Sequence, residues 1–226
     1  MKVDTELSSN MEILSAIGTE IEVPKGARFD FRNIYYLKEG IAALTHLTLA
    51  GEQSSFIYFK PGMLLNFLRP IITATGIGSD ITMKRLSSLD HGIYAKTKCK
   101  CLCINGATFL EQAERDSALY RMLLRSISEN LINVLALSTE LSTKPASLRV
   151  CQVLFDFMSD DTPPEIPRYL TYNEIAFYLS MHVITVTKIF KALKQSGVID
   201  KKGRTTIVID KARLFAIGTG VEELKY

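Results

Sequence analysis

The chain has 226 residues, 47% hydrophobic and 23% charged, which sustains a folded core and excludes intrinsic disorder. No stretch approaches the roughly 20 consecutive apolar residues of a membrane span, and Met1 to Asn10 carries acids and serines instead of a basic head and an apolar run, so a cytoplasmic protein with no membrane contact is expected. The net charge of +3, from 27 basic and 24 acidic side chains, is too small to mark a polyanion binder by itself, so the location of the charge decides.

From Ile21 to about Ile104 the sequence is rich in β-branched and aromatic residues, punctuated at Gly26, Gly40, Ala50-Gly51, Pro61-Gly62, Gly76 and Gly92. Ile34 to Leu37, Ile41 to Leu49, Ser55 to Lys60 and Ile93 to Ile104 have strand length, and the regular turn signals predict an antiparallel barrel or two-sheet roll. After Asn105 the character changes. Ala107 to Ser142 holds neither Pro nor Gly and predicts one long helix or two.

Along that helix Tyr120, Leu124, Ile127, Leu131, Val134, Ser138 and Leu141 alternate spacings of four and three, the pattern of a coiled-coil seam. Leu119, Leu123, Leu135 and Leu137 widen the apolar surface, so the helix can cover its own β-domain on one side and meet a second copy on the other. Lys144-Pro145 ends it, because proline disfavours helical geometry in the residue before it. The expected organisation is α+β: a β-roll over 1–106, a dimerisation helix region over 107–144 and a further domain over 145–226.

In that last domain Leu148 to Met158 reads as a helix, and Asp160 to Pro167 as a polar, proline-rich loop. Thr171-Tyr172-Asn173-Glu174 is a capping box opening a short helix with Ile175, Ala176 and Leu179 inward. Ser180-Met181-His182 turns into a second helix with Val186, Ile189, Phe190 and Leu193 inward, closed by Gly197. Val198 to Asp200, the basic turn Lys201-Lys202-Gly203-Arg204 and Thr205 to Asp210 then form a hairpin, which completes a winged helix-turn-helix. Between His182 and Arg204 six basic residues face one acid, a local charge of +5 in 23 residues, while the remaining sequence is slightly acidic. A basic helix face beside a basic hairpin tip points to double-stranded DNA. The expected contacts are Thr171, His182, Val183, Ile184, Thr185, Thr187, Lys188, Lys191, Lys201, Lys202 and Arg204.

These features resemble the family of the cyclic-AMP receptor protein and FNR, bacterial transcription factors. The likeness is most specific over Leu170 to Ala176, Thr185 to Leu193 and Gly197 to Ile199, and continues in Arg149 to Leu154. It is weaker in the β-region, where it rests on Tyr35-Tyr36-Leu37-Lys38-Glu39-Gly40, Lys60-Pro61-Gly62 and Ala95-Lys96-Thr97. The resemblance implies a homodimer with a signal-sensing roll of the cyclic-nucleotide-binding type, a palindromic DNA site and RNA polymerase as a candidate partner. It also places the reading positions of the second helix at Val183, Ile184 and Lys188. Valine and isoleucine can only contact the thymine methyl, so an A·T-rich site is expected.

Family members that bind cyclic nucleotides carry a glycine-glutamate-leucine segment followed by an arginine and a small hydroxyl residue. The resemblance sets these on Asn66-Phe67-Leu68 and on Leu89-Asp90, so the ribose acid has become Phe67 and the phosphate-pairing arginine Leu89. A buried phosphate needs charge-assisted donors, so a small effector other than a cyclic nucleotide is expected, lined by Phe67, Leu68, Arg69 and Leu89. Arg69 is the candidate to pair with an anionic group on it.

No cysteine cluster precedes Cys99, which departs from the iron-sulfur members. Cys99, Cys101 and Cys103 fall on one strand face about 7 Å apart, awkward for a disulfide or for joint chelation, and read as small apolar side chains. A redox- or metal-responsive regulator using this row is the alternative. Haem occurs in the family, and His46 and His91 are the histidines of the sensor region. No resident cofactor or metal is expected. Scattered histidines, with no phosphate loop, nucleophile elbow or dinucleotide fingerprint, give no basis for an enzyme.

Overall fold

The computed structural model describes residues 11–47, 53–76 and 91–226. Leu89, Asp90 and the end at Leu49 of the expected strand from Ile41 lie outside the described residues. The chain divides into two compact units, Met1–Val134 and Leu135–Tyr226.

The first unit begins with helix α1 (11–17) and strand β1 (Thr19–Val23), followed by β2 (Asn33–Glu39), β3 (Ala42–Leu47), β4 (Gln53–Phe59), β5 (Leu64–Leu65) and helix α2 (Leu68–Thr75). Strands β6 (His91–Ala95) and β7 (Cys99–Asn105), helix α3 (Gly106–Arg115) and the long helix α4 (Ser117–Thr143) complete it, the last running on into the second unit. Two antiparallel sheets result, ordered β1-β7-β2-β5 and β4-β3-β6.

Both faces of the larger sheet are buried, which explains the nearly continuous apolar runs in β2 and β7. Tyr35, Leu37, Cys99 and Cys101 face one apolar cluster with Phe59 and Ile93, whereas Ile34, Tyr36, Leu102 and Ile104 face another with Phe109, Leu119 and Leu123. Side chains alternate across a strand, so small thiols fill the roll interior while larger aliphatics meet the helices.

Two sequence expectations for this unit are corrected. Ile93 to Ile104 is two strands in different sheets, because the amides of Lys96 and Thr97 both donate to the Ile41 carbonyl and leave the ladder. Leu68–Thr75, within the stretch read as all-β, is helical despite its β-branched residues. Pro70 sits in the first turn, where a missing N–H costs nothing, and Gly76 takes φ +63° at the C-terminal cap.

The helical stretch after Asn105 is two helices. The Asn105 side chain accepts from the Ala107 and Thr108 amides to open α3, and Asp116 accepts from Ala118 and Leu119 to open α4.

The second unit holds α5 (Ala146–Phe157), β8 (Glu165–Ile166), α6 (Tyr172–Tyr178), α7 (Val183–Gln195), β9 (Ile199–Lys202), β10 (Thr205–Val208) and α8 (Lys211–Gly218). The segment read as a polar loop contains β8, which pairs with β10 and makes the wing three-stranded in the order β8-β10-β9. Helix α8 had no counterpart in the sequence reading.

Candidate nucleic-acid interface

Helices α6 and α7 bend by 116° about the Leu179–His182 turn, the geometry of a helix-turn-helix. Thr171 caps α6 by accepting from the Glu174 amide at 3.1 Å, the capping-box bond expected from the sequence. Ser180 takes φ +48°, and Arg149 of α5 donates to the Leu179 carbonyl at 2.9 Å, tying the turn to the domain core. Inward, Ile175, Ala176, Leu179, Val186, Ile189, Phe190 and Leu193 are all buried, and Tyr172 packs on Phe190 with ring centroids 4.5 Å apart.

The outward face of α7 follows from that inward one. Ile184, Thr187, Lys188 and Lys191, at i, i+3, i+4 and i+7, are all exposed. Val183 and Ile184 in the first turn are 39% and 65% exposed. Thr187 Oγ1 donates to the Val183 carbonyl at 2.9 Å, so its remaining capacity is to accept. His182 is exposed at the N-cap, whereas Thr185 is half-buried.

Helix α7 ends in a Schellman motif. Gly197, at φ +75°, donates to the Lys194 carbonyl and Val198 to the Leu193 carbonyl. The wing follows, its tip formed by Gly203, at φ +63°, and Arg204 between paired Lys202 and Thr205. A positive φ at the first loop position suits a primed two-residue hairpin. Lys201, Lys202 and Arg204 are exposed. The local acid, Asp200, is held below the usual carboxylate range by Lys194, 2.9 Å away, and by the Lys201 amide. The lone negative charge is thus screened by a lysine outside the expected DNA-contacting set.

Sequence reasoning missed Arg149 of α5 and Arg213 of α8, whose guanidinium groups donate to the Leu179 and Ser196 carbonyls at the ends of α6 and α7. Both act on backbone carbonyls of residues distant in sequence, and no spacing rule reveals such a bond.

On α4 the seam expected from the sequence is an open stripe. Tyr120, Leu124, Leu131, Val134 and Ser138 are exposed, and Ile127 and Leu141 are half-buried. Leu119, Leu123 and Ser126 are buried, the two leucines in the apolar cluster with Ile34, Tyr36 and Phe109.

The three described residues of the expected effector lining enter different surroundings. Phe67 is buried in the apolar cluster with Leu119 and Leu123, Leu68 is exposed, and the Arg69 guanidinium lies over the Phe31 ring at 4.8 Å. Arg69 also borders a shallow cleft of about 310 Å³ with Arg28, Phe29, Asp30 and Phe31.

Cys99 and Cys101 are buried and Cys103 half-buried, with no disulfide. Burial pushes the Cys101 thiol up to about 12, and the Cys99 and Cys103 thiols upward as well. Among the described residues no cluster of three or more His, Cys, Asp or Glu side chains is placed to hold a metal ion. No single described helix is long and apolar enough to cross a membrane.

Fold and site together define a winged helix-turn-helix protein with an N-terminal antiparallel roll. Residues 148–217 match the Crp-like helix-turn-helix domain. The fold resembles that of FixK2 from Bradyrhizobium japonicum, 16% identical over 89% of this chain and 97% of that one, TM-score 0.68. It similarly resembles a putative regulator of the Crp/FNR family from Eubacterium rectale, at 15% identity, 92% and 93% coverage and TM-score 0.68. A third likeness is to the c-di-GMP responsive global regulator CLP of Xanthomonas campestris, at 15% identity, 89% and 98% coverage and TM-score 0.66. No curated protein sequence matches the chain. The C-terminal region is therefore a Crp-like helix-turn-helix domain carried on the fold of Crp/FNR-family transcriptional regulators, as the sequence resemblance implied.

Proposed function

We propose that the protein is a non-enzymatic, cytoplasmic transcriptional regulator that binds a palindromic, A·T-rich DNA site as a homodimer under the control of a small effector. Region 1–106 senses, 107–144 dimerises and 145–226 reads DNA. The observation that carries this reading is the exposed face of α7, with two apolar side chains at its start and Thr187, Lys188 and Lys191 behind them, beside a basic wing. Val183 and Ile184 contact thymine methyls, Thr187 accepts from a base edge, and the lysines and Arg204 hold phosphates. The stripe on α4 presents two copies of this face to two half-sites roughly 34 Å apart, with RNA polymerase as a candidate further partner.

The effector is not a cyclic nucleotide in this reading. By the resemblance Phe67, packed in an apolar cluster, stands at the ribose-acid position, and Arg69 borders a cleft with aromatic walls, a second arginine and Asp30, where two cations against one carboxylate suit an anionic, partly aromatic molecule. A redox role for the cysteine row draws no support from Cys99 and Cys101, buried in the roll interior, or from half-buried Cys103, because burial raises all three thiols and the thiolate is the reactive form.

The test compares two substitutions by fluorescence anisotropy on a selected duplex. Val183→Ala relaxes the preference at one thymine by roughly 1 kcal/mol, whereas Lys202→Ala weakens all sequences alike and reduces the salt slope by about one unit. An unchanged preference in Val183→Ala would contradict the assignment of the reading residues.

A further inference from the structure

His46 of β3 and His91 of β6 are directly opposite each other in the antiparallel ladder, with imidazole centroids 6.2 Å apart. His46 shares its strand face with Ala42 and Leu44, which contribute to the apolar cluster inside the roll. Both histidines are half-buried. The third wall is Phe56. The register of β3 against β4 steps from Leu44↔Ile57 to Thr45↔Ser55, so Phe56 is the extra residue of a bulge. Bulges re-aim side chains, and this one places Phe56 5.7 Å from the His46 ring and 5.6 Å from that of His91.

The frame under the two imidazoles is held from both sides. At the neighbouring pair of the ladder, buried Thr45 donates from its hydroxyl to the Gly92 carbonyl at 3.2 Å, and Arg28 Nη2 donates to the His91 carbonyl at 2.9 Å. A ligand pair fixed by its backbone register loses little entropy when an ion enters.

We infer that His46 and His91 form a two-imidazole site for a late first-row divalent cation, Zn²⁺, Cu²⁺ or Ni²⁺. With metal–nitrogen bonds of about 2.0 Å, ring nitrogens about 1.1 Å from each centroid and a tetrahedral angle at the ion, two imidazoles on one ion have centroids about 5 Å apart. The observed 6.2 Å is about 1 Å longer, a gap that rotation of the two directly opposite side chains has to close for the nitrogens to share an ion. Neutral imidazole selects this class of ion over Mg²⁺ and Ca²⁺, which take oxygen ligands. Water completes the coordination, and Phe56 shields one side. The metal chemistry of the sensor unit thus lies with two half-buried imidazoles instead of the cysteine row, whose thiols burial keeps protonated.

The experiment uses the full chain stripped with a chelator and titrated with Zn²⁺, Ni²⁺ or Cu²⁺ by calorimetry. One ion binds per chain with micromolar affinity. His46→Gln and His91→Gln each weaken binding at least tenfold, Cys101→Ala leaves it unchanged, and the Cu²⁺ complex shows superhyperfine coupling to two nitrogens. Where a histidine variant folds poorly, the wild type is treated with diethylpyrocarbonate instead, and Zn²⁺ protects the peptides holding His46 and His91 but not that holding His182. No binding by the wild type, equal affinity in the histidine variants, loss in Cys101→Ala, or no selective protection would overturn the site.

Discussion

Arg213 Nη1 donates to the carbonyl of Ser196, the C-cap of α7, at 2.7 Å, while its Nε donates to Glu222 Oε1, also at 2.7 Å. A cation at a helix C-terminus meets the negative end of the dipole and satisfies a carbonyl that the helix leaves open. The side chain belongs to α8, so this last helix holds the end of α7 against the domain.

Replacing Arg213 by Met removes both bonds while keeping most of the aliphatic stem. The melting temperature of Arg213→Met should fall, and its DNA affinity should drop on all sequences by a similar factor with the preferred motif retained. A variant that melts and binds like the wild type would show that α8 does not position the reading helix.

Burial raises the Cys101 and Cys151 thiols from the ordinary 9.0, and the Tyr169 and Tyr178 hydroxyls from 10.0, each to about 12. The folded state therefore holds these protons more tightly than the unfolded chain. Their contribution is fully present below about pH 9 and is lost as pH rises toward 12. The urea midpoint should stay level from pH 7 to 8.5 and decline from pH 9 upward. At pH 8 a thiol reagent should leave Cys101 and Cys151 unmodified in the native protein and label Cys103 first. Rapid labelling of native Cys101 would restore the redox reading.

Leu131 and Val134 are 58% and 41% exposed on α4, and neighbouring Leu135 is 57% exposed. An apolar stripe of this length on one helix calls for a partner surface. Sedimentation of the wild type should give a dimer at micromolar concentration, and Leu131→Glu with Val134→Glu should give a monomer that retains its secondary structure and loses specific DNA binding. A monomeric wild type would contradict the seam.

The helix-turn-helix was legible because its signals are local: Thr171 three residues before Glu174, the i, i+3, i+4, i+7 set from Val186 to Leu193, and Gly197 where φ must be positive. The exposed apolar stripe on α4 follows the same kind of local signal, since its period runs through one uninterrupted helix. Helix α2 was not legible, because Ile71, Ile72 and Thr73 favour a strand and only the closure by Gly76 and the position of Pro70 tip the balance. Strand β8 spans two residues and exists through its pairing with β10, a long-range contact with no period of its own. The neighbourhood of Phe67 illustrates the same limit: the resemblance set it at a ligand position, while its side chain packs in the apolar cluster with Leu119 and Leu123 of α4. His46 and His91 stand 45 positions apart in sequence, and only the ladder makes them neighbours.

The most direct test of the account is selection of bound duplexes from random DNA by the purified full-length protein, in the presence of a cell extract as effector source. The account predicts enrichment of an A·T-rich palindrome with half-sites about one helical turn apart, roughly 34 Å, and thymines at the positions that Val183 and Ile184 meet. No enriched motif, or a G·C-rich one, would contradict it.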